Sequence, residues 1–337
     1  MTPAADGAPT LRDVYAARRR IAGRVQRTPL VPAPALSRRH GAEIRLKLDN
    51  MQDTGAFKQR GATNAVANLP AEARARGVVA VSTGNHGRAV AHAAQQTGTR
   101  AVICLSRLVP AVKVAAIRDL GAEVRIHGES QDAAEEEAKR LVREDGMAWI
   151  PPFDHPDVIA GQGTMGLEIL EDWPAVETLL VPLSGGGLIA GLALVAKTLN
   201  PAIRVVGISM ENGAAMADSL KAGKPVAVRE VPSLADSLGG GIGLDNRYTF
   251  AMTRDLVDEV LVVSEDEIAE ALRALYHEER LIAEGACVVG LAAVMAGRLD
   301  LRGARTVLPI TGRNLDMTLF TRLMTGAAAD AVLGEPA

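Results

Sequence analysis

Lys58 stands in Asp53-Thr54-Gly55-Ala56-Phe57-Lys58-Gln59-Arg60-Gly61-Ala62, between an aromatic residue and a turn of small residues. A lysine so placed can be partly desolvated. That lowers its pKa and raises the free-base fraction able to form an imine with an aldehyde. Most lysines are solvated surface charges, so the segment gains weight only from what lies downstream. Ser184-Gly185-Gly186-Gly187-Leu188 separates an apolar run from a helical pattern. Successive glycines let backbone N–H groups converge, and a helix start adds partial positive charge, which makes a seat for a phosphate. A plain strand–helix turn would use the same residues. So would a dinucleotide fingerprint, because Gly185, Gly187 and Ala190 satisfy G-x-G-x-x-A and Glu211 follows at the expected interval.

Two further turns carry polar groups. Ser82-Thr83-Gly84-Asn85-His86-Gly87 offers two hydroxyls, an amide and the N–H groups of a helix start, suited to a carboxylate or a phenolic oxygen. Its bland reading is an N-cap by Ser82 or Thr83. Thr311-Gly312-Arg313-Asn314-Leu315-Asp316 follows another apolar run, and Thr311 or Asn314 could simply cap the last helix. An imine-forming lysine, a phosphate seat and polar loops together fit one cofactor best: pyridoxal 5'-phosphate, an aldehyde with a phosphate arm whose ring accepts electrons. A nicotinamide enzyme needs neither Lys58 nor the Thr311 turn.

The elements that must position these loops are legible as alternating patterns. Strands are expected at 44–48, 78–82, 101–105, 123–126, 178–182, 204–209, 259–263 and 306–310. Helices are expected at 85–97, 111–120, 131–144, 187–199 and 265–279. Such alternation predicts an α/β fold of open, mostly parallel sheets flanked by helices, with ligands at the carboxyl ends of strands. The proline-dense stretch Ile150-Pro151-Pro152-Phe153-Asp154-His155-Pro156 marks a boundary. Two units are expected: 1–65 with 156–337 as the larger, cofactor-binding one, and 66–155 as a smaller one closing over substrate.

Bulk properties narrow the function class. Of 337 residues, 48% are apolar and 23% charged, ordinary for a globular protein with a large core. A net charge of −3 without a basic block argues against nucleic acid. No stretch reads as a membrane span or a secretory signal, and the two cysteines, Cys104 and Cys287, lack metal or disulfide spacing. A reducing, cytoplasmic setting is the default.

The motifs resemble the fold type II pyridoxal phosphate enzymes (tryptophan synthase beta-like), specifically threonine and serine dehydratases and serine racemase. The likeness runs from about Tyr15 to Leu323. TGAFKQRGA is similar to that family's cofactor-lysine segment, which implies that Lys58 carries the cofactor and Phe57 packs beside its ring. STGNHGRA resembles the asparagine loop, implying Asn85 on the phenolic oxygen and Ser82, Gly84 and His86 at the substrate carboxylate. SGGGL resembles the phosphate loop, implying contacts from Ser184, Gly185, Gly186, Gly187 and Leu188. TGRN implies that Thr311 faces the pyridine nitrogen, and VIAGQGTMGLEIL (158–170) is also similar. Thr83 stands where racemases have a serine that serves the second face.

The resemblance implies a homodimer acting on a small amino acid: a dehydratase, or ammonia-lyase, that eliminates water from a threonine- or serine-like substrate. Amino-acid racemisation and threo-3-hydroxyaspartate dehydration are the alternatives on the same fold. SLGGGIGLDNRYTF (237–250) with TGRNLD looks like hydroxyectoine-utilization dehydratases. That narrower likeness implies a hydroxylated diamino acid, with Asp245 or Arg313 reading its extra group. Ser209, Gly213 and Ala215 occupy the positions where cation-binding members have ligands, so no metal is expected. The C-terminal regulatory domain of feedback-inhibited members is not expected either.

Overall fold

The computed structural model describes residues 7–82, 84–109 and 111–334. Its strands are β1 (Leu30–Pro32), β2 (Glu43–Lys47), β3 (Val78–Val81), β4 (Ala101–Leu105), β5 (Glu123–Ile126), β6 (Ala148–Trp149), β7 (Thr178–Pro182), β8 (Arg204–Met210), β9 (Glu259–Val263) and β10 (Arg305–Pro309). They form a six-stranded sheet, β1-β2-β10-β7-β8-β9, and a four-stranded sheet, β5-β4-β3-β6. Only the β1–β2 pair is antiparallel among those described.

Strand composition explains this arrangement. β7 reads Thr-Leu-Leu-Val-Pro and is buried throughout, as a strand covered on both faces must be. Alternate side chains serve opposite layers. Leu179 and Val181 join Ile189, Leu192 and Met165 on one face, whereas Leu180 joins Val288, Leu291 and Leu308 on the other. In the four-stranded sheet Val78 and Ala80 face one helical layer, and Val79 and Cys104 face the other. Cys104 and Cys287 are both free and buried.

Between the sheets, the helices 58–68, 156–172 and 187–199 cross at close backbone contact. A Cβ on Gly161 would lie 2.7 Å from the Arg60 carbonyl oxygen, and one on Gly191 would lie 2.6 Å from Gly163 N. The helix opening at Lys58 packs on both Asn85–Thr97 and Pro156–Asp172. It is also held by a buried ion network. Arg60 donates to both oxygens of Asp49 at 2.7 Å and to Glu168 at 2.6 and 2.9 Å, while Lys47 Nζ reaches Glu168 at 2.6 Å. Two cations balance two anions, so no buried charge is left uncompensated.

Because the pairings within each sheet are parallel around β3, β7 and β10, the three polar turns leave carboxyl ends of strands, where such folds bind ligands. Among the described residues, no helix is long and apolar enough to cross a membrane.

Candidate active site

The segment before Lys58 is fixed by main-chain bonds to the Thr311 turn. Phe57 N–H donates to the Thr311 carbonyl at 2.9 Å, Arg313 N–H donates to Gly55 O at 3.0 Å, and Ala56 forms a bridge with Gly312. Gly55 has φ 76°, and a Cβ there would fall 2.6 Å from Asn314 Oδ1, so this turn needs glycine twice over. Lys58 then opens its helix with Nζ inside the protein, donating to the Pro152 carbonyl at 2.7 Å. The Phe57 ring centroid lies 5.4 Å from that nitrogen. Among the described residues no carboxylate pairs with the amine, and burial lowers its pKa to about 8.

His86 closes the other side. Its Nε2 lies 2.8 Å from the Ile150 carbonyl, which can only accept, so Nε2 carries the proton. Burial, and then the charge of Lys58, hold the ring's pKa down to about 3, so His86 is neutral near pH 7. Ser82 Oγ accepts from Gly84 N–H at 3.3 Å, shaping the turn that leads into the helix Asn85–Thr97. A Cβ on Gly87 would sit 2.3 Å from the Ser82 carbonyl oxygen, so the helix can approach the strand end only with glycine there.

At the glycine run the helix Gly187–Leu199 begins, and side chains are excluded at all three positions. A Cβ on Gly185 would strike the Phe153 ring at 2.3 Å, and one on Gly187 would meet Phe153 at 3.0 Å. Gly186 has φ 88° and faces Met216 and Thr249. Ser184 is half-buried, and Leu188 turns into the apolar layer with Leu183 and Ile189. Phe153 follows Pro152, so one short segment touches both Lys58 and the glycine bend. Its neighbour Asp154 accepts from the N–H groups of Arg247, Tyr248 and Thr249 at 2.7, 2.9 and 2.9 Å, pinning the end of the 237–250 segment.

Thr311 is buried, its Oγ1 3.3 Å from Cys287 Sγ. Burial, and then the nearby Glu284, push the Cys287 thiol up to about 12, so it stays protonated. Asn85 Nδ2 donates to Glu284, and Asn85 Oδ1 accepts from Asn314 Nδ2 at 2.7 Å. Lys58, Phe57, Asn85, His86, Thr311 and the Ser184–Leu188 bend are thus joined through the 150–153 segment, Asn314 and Glu284. Thr83 lies outside the described residues. Asp245 and Arg313 are exposed. Asn246 Oδ1 accepts from Phe250 N–H at 2.8 Å in the first turn of the helix Thr249–Leu256, and Asp316 rather than Thr311 or Asn314 caps the last long one.

A family model for pyridoxal-phosphate dependent enzymes matches residues 21–312. The chain belongs to that family. A protein of Sinorhizobium fredii provisionally named a threonine dehydratase is 52% identical over 94% of this chain and 96% of its own. L-threonine ammonia-lyase of Thermotoga maritima is 42% identical over 94% of this chain and 78% of its own. The structure of maize serine racemase superposes with a TM-score of 0.88, at 34% identity over 94% of this chain and 97% of that one.

The cofactor of this pyridoxal phosphate enzyme fits the residues present. A carboxylate-free, partly buried amine suits imine formation, and a helix start stripped of side chains suits a phosphate. The buried Thr311 hydroxyl offers a neutral partner for a ring nitrogen. What the sequence passed over is Glu284, Asn314 and the Pro152–Phe153 segment. Their signals were present but weak: a lone acid in the apolar stretch 281–295, and prolines read only as a boundary.

Proposed function

We propose that the chain is an ammonia-lyase that removes water from a small β-hydroxy amino acid, L-threonine or L-serine first, giving a 2-keto acid and ammonia. The observation that carries this reading is the neutral, buried hydroxyl of Thr311. When bound, the cofactor takes up the electron pair left at the substrate's α-carbon. A hydroxyl beside its ring nitrogen keeps that sink mild, which favours loss of a β-substituent over transamination.

Lys58 holds the cofactor, and its Nζ accepts the α-proton as general base, a role matched by a pKa near 8. Ser82, Gly84 and His86 receive the substrate carboxylate. His86 lines that seat as a neutral ring rather than a cation, its single ring N–H being held by the Ile150 carbonyl. Phe57 packs against the cofactor ring, Asn85 donates to its phenolic oxygen, and Ser184, Gly185, Gly186, Gly187 and Leu188 seat its phosphate. The β-hydroxyl leaves as water with the proton that Lys58 took from the α-carbon, and the released enamine tautomerises and is hydrolysed by water to the keto acid and ammonia. Residues 66–155 act as the smaller unit that closes and excludes water.

The same reading carries a homodimer in the cytoplasm. From 237–250 it carries a hydroxyectoine-derived hydroxy diamino acid as the narrower substrate. Racemisation is the second reading, favoured by the likeness to serine racemase, and it would take Thr83, which lies outside the described residues, as its second proton-transfer group. A keto-acid release screen over threonine, serine, 3-hydroxyaspartate and hydroxylated diaminobutyrate tests the reaction class. Keto acid from at least one of them is expected. Conversion of L- to D-serine with no keto acid from any would overturn elimination in favour of racemisation.

A further inference from the structure

Glu284 is 4% exposed and sits at the N-cap of the helix Gly285–Met295. Its carboxylate accepts from Asn85 Nδ2 at 3.1 and 2.9 Å, from the Asn314 N–H at 2.8 Å and from Ser237 Oγ at 3.1 Å. No described cation forms an ion pair with it. Burial outweighs those donors and, with the nearby charge of Asp236, raises its pKa. A buried acid without a counter-ion is costly, so its surroundings should show what it is for.

They show an amide held in one orientation. Both oxygens of Glu284 are acceptors, so the end of Asn85 that faces them must be Nδ2. The opposite end, Oδ1, accepts from Asn314 Nδ2 at 2.7 Å. Asn314 cannot flip either, because Nδ2 also donates to the Thr54 carbonyl at 2.8 Å. One hydrogen of Asn85 Nδ2 is engaged by Glu284, and the second remains for a ligand. The protein also clears space for this carboxylate. A Cβ on Gly312 would lie 2.4 Å from Glu284 Oε1, and Glu284 N–H donates to the Gly312 carbonyl at 3.0 Å. Asn85 belongs to the helix after β3, whereas Glu284, Asn314 and Ser237 belong to segments around the six-stranded sheet. The contact therefore joins the two layers beside Lys58.

We propose that Glu284 is a positioning residue that locks the Asn85 amide so that its remaining N–H meets the cofactor's phenolic oxygen. This rests on the assignment of Asn85 to that oxygen. Glu284→Gln removes the charge and turns one of the two acceptor oxygens into an NH2 group, so the Ser237 hydroxyl must rotate to accept and Asn85 Nδ2 keeps at most one, uncharged, acceptor.

The test uses the full chain, stripped of cofactor and titrated with pyridoxal phosphate, reading affinity and the absorbance of the bound cofactor. Asn85→Ala and Glu284→Gln should each weaken binding roughly tenfold, the scale of one hydrogen bond to a charged group, and shift the absorbance alike. The double variant should bind no more weakly than Asn85→Ala alone. A double variant showing the product of the two losses would overturn the proposal, as would wild-type affinity and absorbance in Glu284→Gln. Should Glu284→Gln fail to fold, Asn314→Ala removes the other hold on the amide. The same absorbance shift there supports the proposal, and an unchanged spectrum overturns it. Wild-type binding by Asn85→Ala would overturn the assignment of Asn85 itself, and the proposal with it. Additivity would overturn only the proposal.

Discussion

Phe57 donates its main-chain N–H to the Thr311 carbonyl at 2.9 Å, so the residue before Lys58 and the one assigned to the ring nitrogen share a hydrogen bond. Two segments some 250 residues apart in sequence are thereby held in one register, and Ala56–Gly312 and Arg313–Gly55 extend it. On the roles proposed for Lys58 and Thr311, one short bridge positions both the imine-forming amine and the partner of the ring nitrogen.

Replacing Thr311 by Asp puts a carboxylate where a neutral hydroxyl now stands, and it would favour a protonated ring nitrogen. Absorbance of the bound cofactor should shift, and turnover should fall by roughly a hundredfold, the low end for disturbing a proton-linked group. Stopped-flow and steady-state assays would check both. Wild-type values in both would count against the role given to Thr311.

The amine of Lys58 attacks an aldehyde only as free base. Its pKa is lowered from 10.5 to about 8, so roughly a tenth is neutral at pH 7, against under a thousandth for an ordinary lysine. Uptake of pyridoxal phosphate by the cofactor-free protein should therefore speed up about tenfold per pH unit below 8 and level off above it. A rate still climbing steeply at pH 10 would mean a solvated amine.

Gly185→Ala drives a methyl group into the Phe153 ring, 2.3 Å away, and Phe153 adjoins the carbonyl that holds Lys58. We expect a stability loss of about 1–3 kcal/mol from overpacking, with weaker cofactor retention. Adding Phe153→Ala should return part of the stability. Denaturant titration of the three proteins decides it, and an unperturbed Gly185→Ala would contradict the packing described.

Glu168→Ala leaves Arg60 and Lys47 buried without their shared partner. The expected cost is about 3–5 kcal/mol, seen as an earlier unfolding transition in urea. Because Arg60 lies one helical half-turn from Lys58, cofactor affinity should drop as well. A loss below about 1 kcal/mol would show the network to be dispensable.

Much of this was legible in the sequence, for physical reasons. Buried parallel strands are nearly uninterrupted apolar runs, so 78–82, 178–182 and 306–310 stand out, and the loops after them carry the glycines and hydroxyls of the site. The short strands β1 and β6 escaped because two or three residues show no period, and β1 ends in a proline. Glu284 escaped because one acid in an apolar helix start looks like a solvated interruption. Only the fold shows that Asn85, Ser237 and Asn314 converge on it. Asn314 offered capping chemistry, but Asp316 took that role and left the amide free to orient Asn85. The segment 150–156 looked like a boundary because prolines break elements. It also supplies the carbonyls that orient Lys58 and His86.

Reduction with borohydride followed by peptide mass spectrometry tests the central claim most directly. The purified protein should be yellow and bleach on reduction, with a single phosphopyridoxyl group on the peptide containing Lys58. A colourless protein, or a label on any other lysine while Lys58 stays unmodified, would contradict the account.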